Sequence, residues 1–123
     1  MARKILIADD EEVVRESVKA CLETEGYRIY EASNGVDALE LARLVMPELV
    51  ILDILMPEMA GYSVCRSLKE DPQTKDIMVL FLSGRQSREA ENTVRRSGGD
   101  DFLTKPFEPA DLKQKVELLI GRE

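Results

Sequence analysis

Three stretches of this chain are almost uninterrupted in apolar residues: "ILIA" at 5–8, "LVIL" at 49–52 and "IMVLFL" at 77–82. None alternates apolar with polar, so each reads as a strand covered on both faces, as in a parallel sheet flanked by helices. Weaker strand candidates are "YRIYEA" (27–32) and "DFLT" (101–104). Between the strands the period becomes helical. Val14, Val18, Cys21 and Leu22 make one apolar stripe, and Ala38, Ala42, Val45 and Met46 make a second. Val64, Cys65 and Leu68 make a third, and Leu112, Val116, Leu119 and Ile120 the last. The segment 86–97 has only Ala90 and Val94 as apolar anchors.

Chain breakers fall where these elements should end. Gly26 is a C-cap candidate after the first helix, and Pro47 stops the second. Asp71-Pro72 closes the third and Gly98-Gly99 the fourth, while Pro109 sits near the start of the fifth, where a missing N–H costs nothing. The order is strand then helix, five times over. Right-handed crossovers turn that order into a doubly wound α/β sandwich.

The 123 residues, 44% of them hydrophobic, fit one domain spanning 1–123. A domain of this size buries roughly two thirds of its unfolded surface, so neither disulfides nor metals are needed to hold it. Seventeen basic against 24 acidic residues leave a net charge of −7. That balance speaks against nucleic acid or an anionic membrane as the main partner. The chain has no histidine, which excludes a Ser-His-Asp triad, a Cys-His pair and an imidazole zinc site. Cys21 and Cys65 form no C-x-x-C pair and fall in helical apolar stripes, so both are expected as buried free thiols. No segment has the ~18 apolar residues of a membrane span, and "MARKILIADD" lacks a signal peptide's apolar core. A cytoplasmic location is expected.

In a doubly wound sheet, ligands bind beyond the carboxyl ends of the strands, where strand order reverses. There the sequence places Asp9 and Asp10 after the first strand, Asp53 after the third, Ser83 at the tip of the fourth and Lys105 past the fifth. An acidic first turn stabilising a helix dipole explains Glu11 and Glu12, but not a third acid arriving from another strand. Three close carboxylates repel unless a cation neutralises them, and Mg²⁺ suits such an all-oxygen set. Phosphoryl transfer needs its peripheral oxygens neutralised and positioned, work that Lys105 and the Ser83 hydroxyl could share with Mg²⁺. Without a histidine base Ser83 is a poor acceptor. Asp53, ionised at neutral pH, is the natural nucleophile and would form an acyl phosphate.

These residues also resemble a known family. The "DD" at 9–10, "LDILMPEMAG" around Asp53, "LSG" with Ser83 and "DDFLTKPF" with Lys105-Pro106 resemble, in this order, the receiver domain of two-component response regulators. The resemblance implies a flavodoxin-like fold whose five-stranded parallel sheet has the order 2-1-3-4-5. It implies that Asp53 accepts a phosphoryl group from a phosphohistidine on a sensor histidine kinase or a histidine phosphotransfer protein. Asp10, Asp53 and the carbonyl of Leu55 would coordinate Mg²⁺, with Asp9 binding through water or directly. Lys105 would pair with the phosphoryl group, and its bond to Pro106 would be cis. Ser83 and Phe102 would form the switch, repacking the fourth helix, fifth strand and fifth helix for a downstream output domain or protein. Such a domain catalyses only its own phosphorylation and slow dephosphorylation.

Several positions depart from the commonest family pattern. Phe102 replaces a tyrosine, Gly84 an alanine, and Ala60 an aspartate outside the site. Leu55 and Arg85 border the expected path of hydrolytic water, and their bulk should slow dephosphorylation. Two other readings compete. A haloacid-dehalogenase phosphatase would carry D-x-D, but Leu55 stands two beyond Asp53, and the chain is short for a cap. A flavodoxin-like cofactor carrier would want a phosphate-cradling loop where this chain has two acids. A phosphorylation-independent interaction module stays open. So does a phosphorylation-dependent homodimer, although the apolar surface of 86–97 is too small to argue for a large interface.

Overall fold

The computed structural model describes residues 2–84 and 88–121. The five strands are β1 (Lys4–Ala8), β2 (Arg28–Ala32), β3 (Leu49–Asp53), β4 (Met78–Ser83) and β5 (Asp101–Thr104). The helices are α1 (Glu12–Glu23), α2 (Gly35–Val45), α3 (Gly61–Glu70), α4 (Arg88–Ser97) and α5 (Pro109–Ile120). All strands pair in parallel, in the order β2-β1-β3-β4-β5, the flavodoxin-like doubly wound arrangement expected. The order reverses between β1 and β3, so a crevice opens at their carboxyl ends.

Alternation along each strand splits the core in two. Leu6, Ala8, Val50, Leu52, Val79 and Phe81 face α2, α3 and α4. Their neighbours Ile5, Ile7, Leu49, Ile51, Leu80 and Leu82 face α1 and α5. Every one of these twelve is fully buried. That explains why the strands read as continuous apolar runs: both faces are covered. Asp53 ends its strand where that cover stops, and is the one residue of β3 that is not fully buried.

Several boundaries differ from the expected ones. The first helix ends at Glu23 with Thr24 as a right-handed cap; Gly26 (φ 88°) lies beyond, in the turn that its N–H closes onto the Glu23 carbonyl. Met46, expected in the apolar stripe of α2, instead caps that helix at φ 51° and is exposed. Ile77 closes a turn onto Thr74 before β4 begins at Met78. Cys21 is only partly buried, whereas Cys65 is fully buried with its thiol on the Ser97 carbonyl. Among the described residues, no helix is long and apolar enough to cross a membrane.

Burial pushes the Cys65 thiol up to about 11, so at pH 8 almost none of it is thiolate. In a thiol titration of the native protein at pH 8, Cys21 should react slowly and Cys65 only on unfolding. Two fast thiols under native conditions would contradict this packing.

Candidate functional site

Two strand ends, those of β1 and β3, deliver three acids to one point. Carboxylate oxygens of Asp9, Asp10 and Asp53 all lie within 4.8 Å of one another, with Asp9 buried, Asp10 exposed and Asp53 between. Lys105 reaches in from the β5–α5 loop. Its Nζ lies 2.8 Å from Asp9 Oδ2, 3.5 Å from Asp53 Oδ2 and 3.8 Å from Glu11 Oε1. The Lys105 peptide N–H donates to the Ser83 carbonyl at 2.6 Å, continuing the β4–β5 ladder by one step, and the Lys105-Pro106 bond is cis.

The structure thus brings Asp9, Asp10, Asp53 and Lys105 together through their side chains. Ser83 joins through its backbone and is buried at the tip of β4. Leu55 contributes main chain: its N–H points at Asp53 Oδ1 across 3.4 Å, while its side chain is 74% exposed. Phe102 is not in the cluster; it pairs in register with Phe81 and lies partly buried on the α2–α4 side of the sheet. Arg85 lies outside the described residues.

Two residues matter here that the sequence reading did not single out for the site. Glu11, read as a helix-dipole acid, is the α1 N-cap; its backbone N–H donates to Asp9 Oδ1 at 2.9 Å, and its exposed carboxylate lies 3.8 Å from the Lys105 ammonium. Gly61 closes the loop after Asp53. Its N–H donates to the Ile54 carbonyl at 2.8 Å, and a Cβ there would stand 2.0 Å from the Asp53 carbonyl oxygen. The available signal was a glycine ending a Met-Pro run just past the acid. Gly84 differs, since an added Cβ would meet nothing within 4 Å.

Burial pushes the Asp53 carboxyl above its ordinary 3.8; the Lys105 ammonium opposes that rise and the Asp9 carboxylate adds to it. Burial works against the Lys105 ammonium, but its hydrogen bond to Asp9 and the attraction of Asp53 outweigh that, holding it above 10.5. Counted formally, the three carboxylates and one ammonium carry −3 + 1 = −2. One lysine leaves the cluster short of positive charge, and an all-oxygen donor set of this size fits a hard divalent cation such as Mg²⁺.

The sequence of residues 5–117 matches the response regulator receiver domain family. The chain belongs to this family. The transcriptional regulatory protein SrrA of Staphylococcus aureus is 40% identical over 122 residues, which make up 99% of this chain and 49% of that protein. The chain therefore spans about half the length of the relatives it matches at this level. Among solved structures, the signal receiver domain of a signal transduction histidine kinase from Syntrophus aciditrophicus is 37% identical, with a TM-score of 0.90 over 97% of this chain and 90% of that one. The chemotaxis protein CheY4 of Vibrio cholerae is 28% identical, with a TM-score of 0.91 over 97% of this receiver and 99% of that chain.

Two stability outcomes follow from this geometry. Gly61→Ala should cost about 2–4 kcal/mol in chemical denaturation, because backbone must move to admit the methyl, whereas Gly84→Ala should cost nothing measurable. Equal effects would refute the steric account. Asp53→Asn should raise the melting temperature in EDTA. The sign follows from the raised carboxyl: ionisation is harder in the folded state, so stability is lost as pH rises from 3.8 through the elevated folded value. The gain from asparagine should therefore be full at pH 7 and vanish below 3.8.

Proposed function

We propose that this receiver is a phosphoacceptor whose Asp53 takes a phosphoryl group from the phosphohistidine of a sensor histidine kinase or histidine phosphotransfer protein. The observation that carries the reading is the Lys105 ammonium spanning Asp9 and Asp53 inside a three-carboxylate cluster at the reversal of strand order. In the transfer, an Asp53 oxygen attacks phosphorus as the P–N bond of the phosphohistidine breaks, and the electron pair returns to the imidazole. The product is an acyl phosphate on Asp53.

The chain's groups divide the remaining work. Lys105, charged at any pH near neutrality, pairs with one peripheral phosphoryl oxygen and lies close enough to Asp53 to do so without a large move. The Ser83 hydroxyl, at the buried tip of β4, takes another. Asp10, Asp53 and the Leu55 carbonyl would hold Mg²⁺, with Asp9 contributing through water or directly, and the ion would supply the positive charge that lets a carboxylate and a phosphoryl group approach.

Phosphorylation then draws Ser83 toward the new oxygens, and Phe102 moves inward, biasing the packing of α4, β5 and α5 toward an output state. That face would be read by an output domain or partner protein. The relative SrrA carries transcriptional regulation in its name, and gene control is a fitting output for a longer protein built on this receiver. The chain acts on no substrate but itself, through its own phosphorylation and slow dephosphorylation, and works in the cytoplasm.

Intact mass after incubation with Mg²⁺ and acetyl phosphate tests the reading. One phosphoryl adduct is expected, labile to hydroxylamine and absent from Asp53→Asn and from an EDTA control. No adduct in a folded, Mg²⁺-binding protein would sink it and favour an interaction module that works unphosphorylated.

A further inference from the structure

One strong contact to the acid loop comes from a residue that the phosphoryl chemistry does not use. Arg15, on α1, donates from Nη1 to the carbonyl oxygen of Asp9 at 2.7 Å. Its Nε lies 3.4 Å from Glu31 Oε1 on the edge strand β2, and its side chain is only 16% exposed. Lys19, one turn along α1, lies 3.5 Å from the other Glu31 oxygen but makes its ion pair further out, with a side chain 41% exposed.

The peptide that Arg15 grips is the one joining Asp9 to Asp10. A peptide group is planar, so fixing its oxygen fixes the direction in which the Asp10 Cα leaves. The Asp9 side of that peptide is already secured. Asp9 N–H donates to the Ala32 carbonyl at 3.2 Å, Oδ1 accepts from Glu11 N–H, and Oδ2 accepts from Lys105. The guanidinium supplies the remaining point, and Glu31 holds the guanidinium. A planar fork can serve both partners at once; an ammonium on a flexible stem cannot hold both in the same geometry.

We propose that Arg15 is a positioning residue for the cation site: braced by Glu31, it clamps the Asp9–Asp10 peptide and sets the aim of Asp10. The inference rests on the reading of Asp9, Asp10 and Asp53 as a Mg²⁺ site, and its sign separates it from simple electrostatics. A guanidinium near the carboxylates repels a divalent cation. If charge were its whole effect, removing it would tighten Mg²⁺ binding. If positioning dominates, removing it loosens binding although repulsion has gone.

Calorimetric Mg²⁺ titration of the full chain, wild type beside Arg15→Lys, Arg15→Met, Lys19→Met and Asp10→Asn, tests this, with melts in EDTA to establish folding. Both Arg15 variants should weaken Mg²⁺ about tenfold, the low end of what losing an outer-sphere partner costs, with Lys19→Met within about twofold of wild type. Wild-type affinity in Arg15→Lys, tighter binding in Arg15→Met, or a lowered melting temperature with unchanged affinity would overturn the positioning role. Should Arg15→Met not fold, the lysine variant decides alone. Failure of the wild type to bind Mg²⁺, or full binding by Asp10→Asn, would overturn the cation site and the positioning role with it.

Discussion

Strands that end in acid cannot lie side by side at low cost, and β1 and β3 do so only because an ammonium stands between their ends. Two unit charges at 4 Å interact by about 4 kcal/mol at an effective dielectric constant near 20, too much to leave unanswered in a domain of marginal stability. Lys105 answers part of it, touching Asp9 at 2.8 Å and Asp53 at 3.5 Å. It can do so because β5 hands it over: the β4–β5 ladder continues through the Ser83 carbonyl to the Lys105 N–H. Burial still holds the Asp53 carboxyl above its ordinary value, against the opposing pull of Lys105. A carboxylate held partly out of water beside two others, at the edge of a crevice, is poised for a further cation.

The loops around this cluster are fixed by space as much as by charge. At Gly61 the chain passes so close to the Asp53 carbonyl that no side chain fits, and at Gly35 the same is true against the Met59 carbonyl, 1.9 Å from where a Cβ would be. These two contacts tie the start of α3 and the start of α2 to the β3–α3 loop. Its backbone is further constrained by Glu58 at φ 67°. Little freedom remains for Asp53 itself. Its carboxylate is presented by a loop stiffened on both sides, the condition for holding a nucleophile near productive geometry.

The fold was legible because burial on both faces leaves an unmistakable trace. A run such as "LVILD" can hardly be anything but an inner parallel strand, and three such traces, with two weaker strand candidates and helical spacers between them, leave few topologies. The polar strand ends were equally legible, since Asp9, Asp53 and Lys105 stand where apolar runs stop. What could not be read were contacts whose logic is three-dimensional. The need for glycine at 61 arises from a carbonyl eight positions earlier that folds back over it, and no periodicity encodes that. The bracing of Arg15 by Glu31 crosses from α1 to β2, and in sequence each looks like an ordinary surface charge. Helix ends were misplaced for a local reason: Met46 adopts the left-handed cap that glycine usually fills, so the stop signal fell one residue late, on Pro47.

The elements on the two sides of the sheet are not equally secured. Each of α1 and α5 buries two large aliphatics, and α3 buries Val64, Cys65 and Leu68. Among the described side chains of α4, the only buried aliphatic is Val94, beside the polar Ser97. Among the described residues, several contacts gather at the C-terminal end of α4. There Gly99 packs without room for a Cβ between Phe81 and Val94, while Lys69 meets Asp100 at 2.9 Å and the Ile77 carbonyl at 2.7 Å. An element that buries little apolar surface shifts at a lower free-energy cost, because little is exposed by the movement. The neighbouring strand β5 leads directly into Lys105. In the proposed switch, a change of charge at Asp53 would act through Lys105 and β5 on α4.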